Sequence, residues 1–161
     1  MKILKFIILT FLILSIVNVF KNESQNFIPI SISETATTKK LSLVGIRVRP
    51  SLVGAIDFAS TQYDLSPEFI IALILTESSF DENAVSSKGY KGLMQIPQKV
   101  PSDANILVGA NIFREKMRIV EGDLVKALCL YKGYKIGSGN GLREANKVLF
   151  RLRQIKKGEM T

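Results

Sequence analysis

One carboxylate of this 161-residue chain stands where its charge is uncomfortable. Glu77 closes the run Ile70-Ile71-Ala72-Leu73-Ile74-Leu75-Thr76. The residues three, four and seven before it are Ile74, Leu73 and Ile70, which a helix places on its own side. A carboxyl among aliphatics has its ionised form disfavoured, so its pKa rises and it can hold a proton near neutral pH. Such a group suits protonation of a leaving oxygen, most naturally a glycosidic one. Paired-carboxylate glycosidases need a second acid about 5 Å or about 6.5 to 9.5 Å away. The nearest in sequence, Asp81 and then Glu82, follow Phe80 where the helix should be ending, and Asp81 reads as a solvated loop residue. No second acid stands out. The chain has no histidine and a single cysteine, Cys129. Ser-His and Cys-His nucleophiles, histidine and thiolate metal sites and an intrachain disulfide are thereby excluded. No metal and no other cofactor is expected, and the chemistry falls to carboxylates, amides, hydroxyls and lysines.

Placing Glu77 in this way takes a buried helix with a defined start. Ser66-Pro67-Glu68 supplies one: a hydroxyl N-cap, proline at the first helical position, and an acid near the positive end of the dipole. From there to Leu75 only Glu68 is charged, so the helix is apolar on nearly all sides and belongs inside a domain. Ahead of it, Leu52, Ile56, Ala59 and Tyr63 form one face of a helix that ends before Asp64. Behind it, a polar loop with two glycines leads to a link bracketed by Pro97 and Pro101, after which Asp103 can cap a helix. Ile106, Ala110, Phe113, Met117 and Val120 make its core stripe. Gly122 ends that helix and Asp123 caps the next, where Leu124, Ala127, Leu128 and Tyr131 share a face and Cys129 is a small buried hydrophobe. Gly137 to Gly141 reads as a flexible turn. A last helix turns Leu142, Ala145, Leu149 and Leu152 inward and Arg143, Lys147, Arg151 and Lys157 outward. The whole is a mainly α domain over residues 50–161.

The stretch before it is of another kind. Lys2 and Lys5 precede an apolar run from Phe6 to Phe20, an export signal in form, shorter than the roughly 20 residues of a comfortable membrane span. Lys21-Asn22-Glu23 follows in place of a small-x-small cleavage site, so residues 1–20 are either a signal peptide or an uncleaved anchor helix. Either way the remainder is exported, to the periplasm or cell envelope. Residues 21–49 are polar and rich in Ser and Thr, a disordered tether. Ile46-Arg47-Val48-Arg49 alternates like a strand, but Pro50 stops it and a loop or edge segment is expected. The net charge of +8 favours polyanionic partners: nucleic acid, anionic lipid or a carboxylate-bearing wall polymer. The export signal argues against nucleic acid.

Three ordered blocks carry a resemblance. Glu77-Ser78-x-Phe80 is followed by Asn83-Ala84, Ser86, Gly89, Gly92-Leu93-Met94-Gln95 and Pro97. Then Asn111 to Tyr131 holds a helix, a Gly122-Asp123 turn and a second helix that delivers a tyrosine. Over residues 56–133, about half of the chain, this is similar to the soluble lytic transglycosylase domain. The resemblance implies a lysozyme-like helical domain with a substrate cleft, acting on peptidoglycan glycan strands. In that family a single glutamate protonates the bond between muramic acid and glucosamine. It then deprotonates the muramoyl C6 hydroxyl, which closes a 1,6-anhydro ring. Carried over residue by residue, Glu77 matches the acid/base and Ser78 the serine after it. Ser86 matches a serine near the carboxylate, Met94 and Gln95 a pair lining the cleft, and Tyr131 a tyrosine whose hydroxyl points at the carboxylate. Gly89 and Gly92 serve backbone conformation. The family usually follows that tyrosine with asparagine and a small residue, whereas this chain has Lys132 and Gly133; a contact to substrate is missing or a cation replaces it. After Met94-Gln95 the usual small and hydroxyl residues give way to Ile96-Pro97-Gln98-Lys99-Val100-Pro101.

Three readings follow. The first is an exported lytic transglycosylase, serving wall turnover or opening the wall for a secretion, conjugation or flagellar-type assembly. The second is a hydrolytic muramidase of the same fold, which needs a water-positioning acid such as Asp81 or Asp103. The third is a non-catalytic basic module that binds wall glycan or nucleic acid through Lys and Arg on the last helix.

Overall fold

Ser66 does what its type predicts: its hydroxyl accepts the Phe69 N–H at 3.2 Å, and a helix runs from Pro67 to Glu77. The computed structural model describes residues 35–158, so the signal or anchor expected at 1–20 and the start of the expected tether lie outside the described residues. Within them stand six helices in chain order: α1 (Ala36–Leu43), α2 (Pro50–Tyr63), α3 (Pro67–Glu77), α4 (Ser102–Ile119), α5 (Leu124–Tyr131) and α6 (Gly139–Lys157). The described residues hold no strand beyond isolated bridges at Val85–Lys91 and Lys91–Ile96. The mainly α expectation is met.

The helices close a circuit. α2 packs on α4, α4 on α5, α5 on α6, α6 on α3, and α3 back on α2. That arrangement accounts for the composition of α3, which needs no polar face because it is covered on every side: Phe69 to Leu75 are all buried. Phe69 meets Phe113 of α4 with ring centroids 4.6 Å apart, and Phe113 meets Tyr131 of α5 edge-on at 5.8 Å. Ile56 and Ala59 from α2, Ile106, Ala110 and Phe113 from α4, and Ala127 and Leu128 from α5 complete the core.

Four expectations are corrected. The tether drawn over 21–49 gives way to helix at Ala36, where Thr35 caps α1 by accepting the Thr38 N–H. α1 buries Leu41, and its Thr37 hydroxyl donates to Asp57 of α2. Asp103 does not cap α4. It lies inside the first turn, Pro101 holds the cap position, and the Asp103 carboxylate pairs with Arg49 at 3.0 Å. The turn expected to run through Gly141 stops at Ser138, whose hydroxyl accepts the Gly141 N–H and caps α6. Gly141 is instead a packing residue: a Cβ there would lie 3.1 Å from Cys129 Sγ. Finally, Leu142 is half exposed, and Val148 and Ile155 take buried places on α6 beside Ala145.

Candidate active site

α3 ends at the carboxylate. The Ser78 N–H still donates to Ile74 O at 2.9 Å and its hydroxyl leans back to the same carbonyl, so Ser78 terminates the helix rather than reaching a ligand. Ser79 and Phe80 then take positive φ angles of 53° and 66°, a left-handed pair that turns the chain sharply away. The turn leaves Glu77 at a corner, on the last turn of a buried helix with the loop 78–101 folded past it.

That loop is tied to itself and to α4. Lys91 and Ile96 exchange backbone hydrogen bonds at 2.8 and 3.1 Å, and Gly92 N–H donates to Ala84 O at 2.9 Å. Asn105 holds it from beneath. Its Oδ1 accepts the Met94 N–H at 2.8 Å and its Nδ2 donates to Lys91 O at 3.0 Å. Gly92 passes directly over this amide with φ +74°, and a Cβ there would lie 2.5 Å from Asn105 Nδ2, so glycine is required on both counts. Gln95 also has positive φ, and its side-chain amide donates to Gly92 O at 2.9 Å and Ala84 O at 3.2 Å. The Ser86 hydroxyl accepts the Tyr90 N–H at 3.1 Å, and Gly89 turns the tip of this segment at φ +81°.

Between the corner and the loop lies a groove of about 380 Å³. From α3 and the loop, Glu77, Ser86, Ser87, Lys88, Tyr90 and Gln95 line it, and from the end of α5 onward Tyr131, Lys132, Gly133, Tyr134 and Glu144. The Glu77 side chain is only 8 % exposed. Its Oε2 receives a hydrogen bond from Lys132 Nζ at 2.8 Å, while its buried Oε1 has no hydrogen-bond partner among the described residues. Burial pushes the Glu77 carboxyl above the ordinary range. The Lys132 ammonium pulls it back and the Glu144 charge adds to the rise, with burial prevailing. Tyr131 is driven well above an ordinary tyrosine, by burial and then by the nearby Glu77 charge. Its hydroxyl is a donor throughout the working range.

The expected site residues divide. Glu77, Ser86, Gln95 and Tyr131 come together in one groove. Met94 does not line it. The side chain is wholly buried, packed so closely on Gly109 that a Cβ there would lie 2.5 Å from Met94 Cβ, and what Met94 offers is its carbonyl. Tyr131 does not hydrogen-bond the carboxylate as expected; its hydroxyl donates to Met94 O at 2.7 Å. The acids proposed for water-positioning are elsewhere: Asp81 accepts the Asn83 N–H in its own turn, Asp103 pairs with Arg49, and neither lines the groove. Glu144, Tyr134 and Asn105 were missed. Glu144 follows Arg143 on a helix whose charges read as a solvated face, and Asn105 precedes Ile106 with nothing local to mark it as buried.

This arrangement can donate one proton from a shielded carboxyl to an oxygen bound in the groove, and take one back. Basic, amide, phenol and hydroxyl groups line the same groove. The family model described as Transglycosylase SLT domain matches residues 54–153, taking in α3, the loop, α4, α5 and most of α6. No curated protein matches the chain.

Proposed function

The chain belongs to the transglycosylase SLT domain family, whose model spans more than half of it, and from that premise we propose a peptidoglycan lytic transglycosylase with Glu77 as its acid and base. The observation that carries the reading is a carboxyl 8 % exposed, raised by burial, at the wall of a groove it shares with Ser86, Gln95 and Tyr131. Protonated Glu77 gives its proton to the glycosidic oxygen as the bond from muramoyl C1 to that oxygen breaks. The resulting carboxylate takes the proton of the C6 hydroxyl as O6 bonds to C1. The acid is regenerated, no water is consumed, and the products are a free glucosaminyl 4-hydroxyl and a 1,6-anhydromuramoyl end. A glutamate with no nucleophilic partner suffices for this sequence. Cleavage of muramoyl–glucosaminyl strands in the envelope, outside the cytoplasm, is part of the same proposal, with the N-terminal run as signal or anchor. Service in wall turnover, or in opening the wall for a secretion, conjugation or flagellar-type assembly, belongs to the same proposal.

A hydrolytic variant is favoured by one observation, that Glu144 lines the same groove. Against it, Glu144 is held by Lys147 at 2.7 Å. Mass spectrometry of muropeptides released from purified peptidoglycan decides: ring closure gives products lighter by one water than hydrolysis does. Anhydromuramoyl ends, absent with Glu77→Gln, are expected. Reducing muramoyl ends would replace this proposal with hydrolysis, and release unaffected by Glu77→Gln would remove it.

A further inference from the structure

Lys132 sits where the family's usual asparagine would not place a charge, and the fold goes to some length to fix it. It is the C-cap of α5, and the two residues after it close the helix: Gly133 N–H donates to Leu130 O at 3.1 Å, and Tyr134 N–H to Cys129 O at 2.9 Å, with Gly133 at φ +74°. These paired bonds across the last turn, with a left-handed glycine, form a Schellman closure, which fixes the backbone direction. From the other side, the bond from Tyr131 Oη to Met94 O ties that turn to the loop. The Lys132 side chain, 14 % exposed, ends 2.8 Å from Glu77 Oε2. A flexible surface lysine would not be held so.

We infer that Lys132 is the positioning residue of Glu77: its ammonium grips Oε2 and fixes the orientation of the carboxyl at the wall of the groove where it exchanges the proton with the substrate. This rests on the acid/base reading of Glu77 above. Two consequences follow from charge. A cation at this distance stabilises the carboxylate, so Lys132 makes Glu77 a stronger acid than its burial alone would allow. A buried lysine and a buried carboxyl that lose each other leave an uncompensated group, so the pair is sensitive to substitution at either end. The other titratable groups lining the groove are Glu144 from α6, whose charge opposes ionisation of Glu77, Tyr131 from α5, Tyr134 just after it, and Lys88 and Tyr90 from the loop. Glu144 itself is shifted downward, chiefly by Lys147 and to a lesser degree by Lys132, opposite in direction to Glu77.

The test titrates the Glu77 carboxyl by carbon-13 NMR in the intact chain, its signal assigned by loss in Glu77→Gln, and compares Lys132→Met with Lys132→Arg. In Lys132→Met the Glu77 midpoint should move upward by about 1 to 3 pH units, and the high-pH limb of anhydromuropeptide release should move with it. Lys132→Arg, which keeps the charge, should stay near the wild type in both. A midpoint that stays put or falls in folded Lys132→Met overturns the inference, as does a Lys132→Arg that shifts like Lys132→Met. Should Lys132→Met not fold, Lys132→Gln is read in the same way. Failure of the functional proposal looks different: the midpoints move as stated, while no anhydromuropeptide appears at any pH.

Discussion

Two enclosed polar side chains hold two neighbouring parts of this molecule, and they are finished to different degrees. Under the loop, Asn105 is 1 % exposed and both ends of its amide are used, one accepting from Met94 N–H and the other donating to Lys91 O. At the end of α3, Glu77 has one oxygen on Lys132 and the other without a hydrogen-bond partner among the described residues. Buried polar atoms are nearly always paired, so an amide paired at both ends marks scaffold, whereas Glu77 shares its groove with the residues proposed to meet the substrate. The difference separates what builds the groove from what works in it.

The sharpest way to break that comparison is to exchange roles. Glu77→Gln removes the proton and keeps the shape, so muropeptide release should fall by roughly 10²- to 10⁴-fold, the range of general acid–base catalysis, with an unchanged circular dichroism spectrum. If Glu77 were scaffold like Asn105, the loss would appear in stability and activity would survive in the folded fraction. Asn105→Ala should do the converse. It strands the Met94 N–H and the Lys91 carbonyl in the interior and should cost about 2–3 kcal/mol in urea unfolding. Activity in the folded fraction should persist at reduced affinity for glycan, since Gln95 is carried on the loosened loop.

Tyr131 tests the boundary between the two regions, because it touches both. Its ring packs on Phe113 and lines the groove, yet its hydroxyl donates to Met94 O in the loop. Tyr131→Phe leaves that carbonyl short of one partner and should lower stability by about 1 kcal/mol, with a fall in activity far smaller than that of Glu77→Gln. Should activity collapse as far as in Glu77→Gln while stability holds, the hydroxyl orients the carboxylate directly and Tyr131 belongs with the working groups.

Much of this was readable from the chain because it is local. The Ser66 and Asp123 caps, the proline start of α3 and the apolar girdle of Glu77 each depend on residues within a turn or two. Glu77, Ser86, Gln95 and Tyr131 were identified by the motif that the family match now spans. What escaped depends on distant partners. Glu77 and Lys132 are 55 residues apart, and Tyr131 meets Met94 across 37. Nothing near either residue says which way a long side chain turns, and so the tyrosine hydroxyl was assigned to the carboxylate and Met94 to the cleft. The glycine beside Met94 is intelligible only once α4 lies under the loop. α1 escaped for another reason. It is short and polar, with Leu41 its one buried aliphatic, and it owes its helical form to packing on α2 and α3 rather than to its own pattern.

The smallest expected effect discriminates most cleanly. Glu77 is raised by burial, so the folded chain keeps a proton that the unfolded chain has already released. Its contribution to stability is therefore fully present below the ordinary carboxylate range and is lost as pH rises through the folded value. Glutamine has no such loss, so the stability of Glu77→Gln relative to wild type should climb with pH across that window and stay level on either side. Glu82 and Glu144 are shifted downward and act in the opposite sense, weakening the fold as pH falls, but both proteins carry them and they drop out of the difference to first order. Asn105→Ala measured in the same urea series should give a difference independent of pH, because an amide exchanges no proton. If the Glu77→Gln difference is as flat as that of Asn105→Ala, the carboxyl titrates alike folded and unfolded, and the contrast between the two buried groups is one of geometry alone.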